Sequence, residues 1–151
     1  MSGIIRGLGM KSDRVFCKPD ETKQTLLYVA DGLGDNPNDY WPCLALNISL
    51  NGKTIAGVLL NDLRPGRDVW MTIYSSDKRW ATKSVIKYVF GIVFNLMKCK
   101  RASVFVTVDN FQSLKMCERL GFKKEGCLRQ FRDDGKDCFV MGMLKQECNW
   151  L

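Results

Sequence analysis

The sequence predicts an α+β fold, a mixed central sheet with flanking helices, and three observations carry that prediction. Residues 43–75 contain three strand-like runs, and the first two are joined by Asn51-Gly52, a strong two-residue hairpin signal. Residues 82–97 carry a wide apolar stripe at helical spacing, which must pack on a sheet. Residues 104–129 then read as a buried strand, a short amphipathic helix and a second strand, followed by a terminal hairpin.

In chain order, residues 11–18 supply a first strand around Val15-Phe16-Cys17. Pro19-Asp20-Glu21 opens a helix, with acidic side chains toward the positive end of its dipole. Leu26, Leu27, Ala30 and Leu33 give that helix an apolar face. Residues 35–42 (DNPNDYWP) form a polar loop whose aromatic pair, Tyr40 and Trp41, can cover the core or contact substrate. Residues 43–49, 54–63 and 68–75 make an antiparallel meander, with Arg64-Pro65-Gly66-Arg67 at its second turn. Ala81 or Thr82 begins the longest helix, where Val85, Val89, Val93 and Met97 recur every four residues beside Ile86, Phe90 and Phe94. Lys98, Lys100 and Arg101 suit its C-terminal end. Residues 104–108 are apolar and largely β-branched. Asp109-Asn110 starts the next helix, with Gln112 placed as a capping-box partner of Asp109. Phe111, Leu114, Cys117 and Gly121 share one face of it, and Gly121 stops it with the left-handed φ that glycine adopts readily. Residues 132–136 form a hairpin loop, residues 138–144 the last strand, and Trp150 is expected to pack back from the tail.

With 151 residues, 46% of them hydrophobic and 26% charged, the chain is read as one folded domain, residues 1–151. The first residues lack the apolar run of a signal peptide and no stretch approaches membrane-spanning length, so a cytoplasmic protein without membrane contact is expected. Seven cysteines, scattered and without a C-x-x-C pair, argue against a disulfide framework and against a thiolate metal site. Histidine is absent, which excludes Ser-His-Asp and Cys-His triads and imidazole acid–base chemistry. A general base must then be a carboxylate, a shifted lysine or tyrosine, or a bound water. The net charge of +7 falls entirely in residues 76–151, with 15 Lys+Arg against 8 Asp+Glu; residues 1–75 hold 8 of each. A basic half suits nucleic acid or a phosphorylated cofactor. No recognised nucleic-acid motif accompanies it, which favours the cofactor.

Asn110-x-x-Ser113, Leu120-Gly121-Phe122 and Glu125-Gly126-x-Leu128-Arg129, in this order and at these spacings, resemble the C-terminal half of the GNAT superfamily of acyl-CoA-dependent N-acetyltransferases. The branch that modifies ribosomal-protein N-termini is the most similar. The element order is similar to the GNAT fold over the whole chain, and the motif-level match spans about residues 70–148. Arg79-Trp80-Ala81-Thr82, together with Gly142-Met143-Leu144-x-x-Glu147-Cys148-x-Trp150, resembles a group of small GNAT proteins frequent in bacteriophage genomes.

The resemblance implies acetyl-CoA as co-substrate, its pyrophosphate held by backbone N–H groups at the start of the long helix. The family signature there is Arg or Gln, two residues, Gly, one residue, Gly or Ala. Ser76-Asp77-Lys78-Arg79-Trp80-Ala81 matches it only at Ala81, and Arg79 stands where glycine lets backbone approach phosphate. Two readings stay open: a variant loop in which Lys78, Arg79, Trp80, Ala81, Thr82 and Lys83 hold the phosphates, or a loop that no longer binds CoA. The implied reaction is direct attack of a neutral amine of a protein or small molecule on the thioester. Backbone of Ile73, Tyr74 and Ser75 would supply the oxyanion donor and part of the cofactor contact. Ser113 takes the place of a serine that serves as acid for the leaving sulfur. Cys117 takes the place of a family tyrosine acid, although nothing in the sequence lowers its pKa and a core position competes. Asn110 would cap its helix or contact the pantetheine arm, and Asp62 or Asp68 would relay the amine proton through water. The alternative is a non-catalytic GNAT-like fold serving as a phage virion-associated or protein-binding component.

Overall fold

A computed structural model describes residues 14–151; residues 11–13 of the first predicted strand, and the N-terminal stretch read for a signal peptide, lie outside the described residues. Among the described residues seven strands form one mixed sheet: β1 (Val15–Pro19), β2 (Cys43–Leu50), β3 (Lys53–Arg64), β4 (Asp68–Ser75), β5 (Arg101–Thr107), β6 (Lys123–Leu128) and β7 (Cys138–Leu144). Their spatial order is β1-β2-β3-β4-β5-β7-β6. The helices are α1 (Gln24–Leu33), α2 (Lys83–Gly91) and α3 (Phe111–Leu120). Among the described residues no helix is long and apolar enough to cross a membrane.

The β1–β4 half is an antiparallel meander. Asn51 and Gly52 take φ of 52° and 85°, as a tight turn with two left-handed residues requires. One face of the sheet packs on α2 and α3, burying Val85, Val89, Phe90 and Phe94 against Val58, Val69, Val104 and Met141. Among the described residues the other face is covered over β2–β4 by α1, through Leu26, Val29, Ala45 and Leu59. Gly57 permits that approach: a Cβ there would sit 2.5 Å from Val29 Cγ2 and 2.7 Å from Thr25 Cγ2. Leu27, expected on the packed face of α1, is 55% exposed, and Val29 takes that place.

The helix starts differ from their sequence signals in instructive ways. Asp20 caps α1 from outside, accepting the Thr25 N–H at 2.8 Å and the Thr22 N–H at 2.9 Å. Burial raises the Asp20 pKa, but bonds from Thr22 and Thr25 outweigh it and hold the carboxyl at about 2. Thr82 is the cap of α2 and not its first residue, its Oγ1 accepting the Val85 N–H at 3.2 Å. The predicted long helix continues as a π turn over Ile92–Leu96, and Arg101, expected at its end, opens β5 instead. At α3 the cap is Asn110, whose Oδ1 accepts the Ser113 N–H at 3.2 Å, so the Asp109–Gln112 capping box does not form. Asp109 pairs with Lys136 instead. Phe111 is 69% exposed, and Leu114, Cys117 and Leu120 form the buried face. Trp150 packs back as expected, its Nε1 donating to the Leu120 carbonyl at 2.9 Å.

The two halves of the sheet meet at a short seam. β4 and β5 pair in parallel only through Asp68–Arg101, Val69–Ala102 and Trp70–Ser103. Beyond Trp70, β4 stays paired with β3 to Ser75, and β5 stays paired with β7 to Thr107. The facing edges of Met71–Ser75 and Val104–Thr107 have no ladder partner, and the strands diverge.

Candidate active site

The divergence opens a cleft of about 740 Å³ that runs through the sheet from one face to the other. Its end on the α3 side is lined by Asn110, Gln112, Ser113, Met116 and Cys117; its other end reaches the C-terminus of α1 and the loop after it. The β5-facing edge of β4 from Met71 to Ser75, left without a ladder partner, forms the wall between them. Free backbone N–H groups beside a small, partly enclosed space are what a developing oxyanion needs.

The structure brings Ile73, Tyr74, Ser75, Asn110, Ser113 and Cys117 to this one cleft. The side-chain oxygen of Asn110 is engaged in capping α3. Through that bond the cap holds the first turn, and Ser113 with it, at the cleft edge. The Ser113 hydroxyl has no hydrogen-bond partner among the described residues, so it is available as a donor into the cleft. Cys117 is 4% exposed, and burial pushes its thiol up to about 12, so it lines the cleft as a protonated thiol. Asp62 lines the cleft at a bulge in β3, with φ of 51° and its carboxylate accepting from Asn61 Nδ2 at 3.1 Å. Asp68, at the far end of β4, does not line it.

The 76–82 loop stands apart from the cleft. Asp77, Arg79 and Ser76 face a separate hollow with Asn51 and Lys53 of the β2–β3 turn. The Arg79 guanidinium is held by Asp77, Nη2 to Oδ2 at 2.6 Å and Nε to Oδ1 at 3.1 Å. The loop also satisfies its own donors: Arg79 N–H goes to Asp77 Oδ1, Trp80 N–H to the Asp77 carbonyl, Ala81 N–H to Lys78 and Thr82 N–H to Trp80. Trp80 is buried in the core and Ala81 is exposed. With Val85 N–H taken by Thr82, the donors left unpartnered at this end of α2 among the described residues are the N–H groups of Lys83 and Ser84.

The end of the cleft on the α1 side is built differently. Asp35 accepts from the Tyr40 hydroxyl and from Arg132 Nη2, tying the loop after α1 to the β6–β7 loop. Burial, with the Asp35 charge behind it, pushes the Tyr40 phenol well above its ordinary value, so it remains a donor to that carboxylate. Asp39, Asp62 and Asp133 stand around this opening with exposed side chains. Tyr74 closes the side wall, its ring so near Gly32 that a Cβ there would lie 2.3 Å from it. Of these residues the sequence singles out Tyr40, Tyr74 and Asp62. Arg132 and Phe131 are site residues that it does not mark, although a phenylalanine in an otherwise polar hairpin loop is a sign of a contact to be made.

No family model and no curated protein matches the chain. Solved structures do. The spermidine N-acetyltransferase from Vibrio cholerae, in complex with CoA and spermine, is similar at a TM-score of 0.69 and 14% identity over 89% of this chain and 97% of that one. The spermidine/spermine N-acetyltransferase SpeG from the same organism, with manganese ions, gives 0.66 and 15% over 87% and 92%. A protein from T. thermophilus assigned as an acetyltransferase gives 0.62 and 20% over 79% and 65%. Seven strands in this order, the parallel seam between β4 and β5, and these superpositions together show that the chain has the GNAT acetyltransferase fold.

Proposed function

We propose that the protein is an acetyl-CoA-dependent N-acetyltransferase whose acceptor is a cationic amine. The observation that carries this reading is the cleft through the sheet, which has a polar, uncharged end at α3 and an acidic end at α1. Two reactants entering from opposite faces meet beside the unpaired backbone of β4 without exchanging places, as direct transfer requires. Acetyl-CoA supplies the activated acyl group. Lys83 and Ser84 N–H, with the Lys78 and Lys83 side chains, hold the phosphates, and the β4 edge orients the thioester. A backbone N–H within Ile73–Ser75 stabilises charge on the carbonyl oxygen as the amine attacks. The bound ammonium first loses one proton to solvent; as the neutral nitrogen bonds to the carbonyl carbon and the C–S bond breaks, Asp62 takes the second nitrogen proton through water, and the Ser113 hydroxyl gives its proton to the departing sulfur and regains one from Asp62 through that water.

Titration calorimetry with acetyl-CoA tests the reading at its root: micromolar binding is expected, and absence of binding at millimolar cofactor sinks it. Lys83→Ala is expected to weaken binding about ten-fold and Arg79→Ala to change it little, since Asp77 already holds that guanidinium. Ser113→Ala is expected to lower kcat about a hundred-fold while leaving acetyl-CoA affinity intact; an unchanged rate removes Ser113 from this role. The internally satisfied donors of the 76–82 loop favour a second reading, a non-catalytic GNAT-like fold that no longer binds CoA and serves as a protein-binding component, and the same titration decides between them.

A further inference from the structure

The acidic end of the cleft carries a second chemistry beside its carboxylates. Trp70 of β4 stacks on Phe105 of β5, ring centroids 4.1 Å apart and planes 11° from parallel. Phe131 of the β6–β7 loop leans over Phe105 at 4.5 Å and 35°. The three rings cross the seam where the strands part and form one wall of the opening. Phe105 and Phe131 keep 39% and 45% of their surface exposed. Among the described residues the cluster beneath α1 is built from Leu26, Val29, Ala45 and Leu59 and includes none of these three rings. Lining the same opening, Asp39 and Asp133 have no ion-pair partner among the described residues, and Asp62 accepts from the Asn61 amide. Arg132 is neutralised by Asp35. This opening is therefore negative in a chain of net charge +7.

A bare polyamine would satisfy the carboxylates and leave the rings wet. A neutral aromatic compound would do the reverse. We propose that the acceptor is a primary amine carried on an aryl group by a short alkyl chain. The aryl group lies against Phe131 and Phe105, and the ammonium faces Asp62 and Asp133. Ring-on-ring contact and a cation held between aromatic faces and carboxylates reinforce each other. The inference rests on the acetyltransferase reading for the amine's fate but not for its binding.

The test is calorimetry on the whole chain, without acetyl-CoA, using phenethylamine, its neutral N-acetyl derivative, and spermidine. Phenethylamine is expected to bind at least about ten-fold tighter than either comparison compound. Phe131→Leu, on an exposed loop, is expected to weaken phenethylamine about five-fold and leave spermidine unchanged. Asp133→Asn is expected to weaken both cations and leave the neutral compound unchanged. Spermidine binding as tightly as phenethylamine, or a Phe131→Leu protein with the parental ranking, overturns the proposal. Acetyl-CoA titration is scored separately: if the cofactor fails to bind and the amine ranking holds, the enzyme reading falls and the aryl-amine site stands.

Discussion

The two ends of the cleft are built from different materials. At the α3 end the important groups are backbone N–H groups, a helix cap and one free hydroxyl, all fixed by elements that would form for reasons of packing alone. At the α1 end they are side chains on two loops, 97 residues apart in sequence at Asp35 and Arg132, that meet only in the folded chain. The first end is rigid because the sheet and helix are rigid. The second is held by an ion pair, a phenol and a ring contact, so it is the end that sequence change can redesign with little effect on the fold.

Perturbing the seat of α1 should have the largest effect. Gly57→Val drives two methyl groups toward Val29 and Thr25, and a loss of about 3 kcal/mol is expected in urea unfolding. An unaffected midpoint would mean that α1 does not rely on this close approach. Next is Asp35→Asn, which leaves Arg132 without its counter-charge at a largely buried position and is expected to cost about 2 kcal/mol. Tyr40→Phe at the same cluster should cost about half as much, because the ion pair survives. If the two variants are equally stable, the ion pair is not what ties the loops together.

Smaller effects separate the helix starts. Asn110→Ala removes the α3 cap and is expected to cost about 1 kcal/mol, with a loss of turnover that Asn110→Asp restores in part. Asp20→Ala should cost a similar amount, but only in a defined pH range. The folded Asp20 carboxyl titrates at about 2, below its unfolded value near 4, so its contribution is present above about pH 4 and fades as pH falls toward 2. Thermal melts of the parent and the variant should converge at the acid end; a constant gap across pH 2–6 contradicts this. The smallest effect concerns Cys117, which is expected to resist iodoacetamide at pH 8 while the exposed Cys127 is alkylated, as peptide mass spectrometry would read.

What the sequence makes legible follows the same division. Asp68–Ser75 and Cys138–Leu144 can be bounded to the residue, because β-branched and aromatic runs between turn signals have few alternative structures. The Asn110–Ser113 pair is legible because cap and first turn are local. The capping box expected at Asp109 is off by one position: adjacent Asp and Asn offer equivalent oxygens, and tertiary pairing of Asp109 with Lys136 chooses between them. The end of α2 is hidden because a π turn keeps apolar residues coming while changing their angular spacing. Arg132 and Phe131 are not legible as site residues at all. Their partners, Asp35 and Phe105, are brought near by strand order, and a hairpin loop carries no periodicity to reveal it.

The three-pair seam has a mechanical consequence. A sheet normally resists parting because every strand is bonded along its length, and separating two strands breaks a row of hydrogen bonds. Here the row ends at Trp70–Ser103 while each half keeps its own ladder, so a reactant can occupy the gap between Met71–Ser75 and Val104–Thr107 without any inter-strand bond being broken. The ladder amides of β3, β4, β5 and β7 are therefore expected to exchange at the same rate with and without a reactant in the gap.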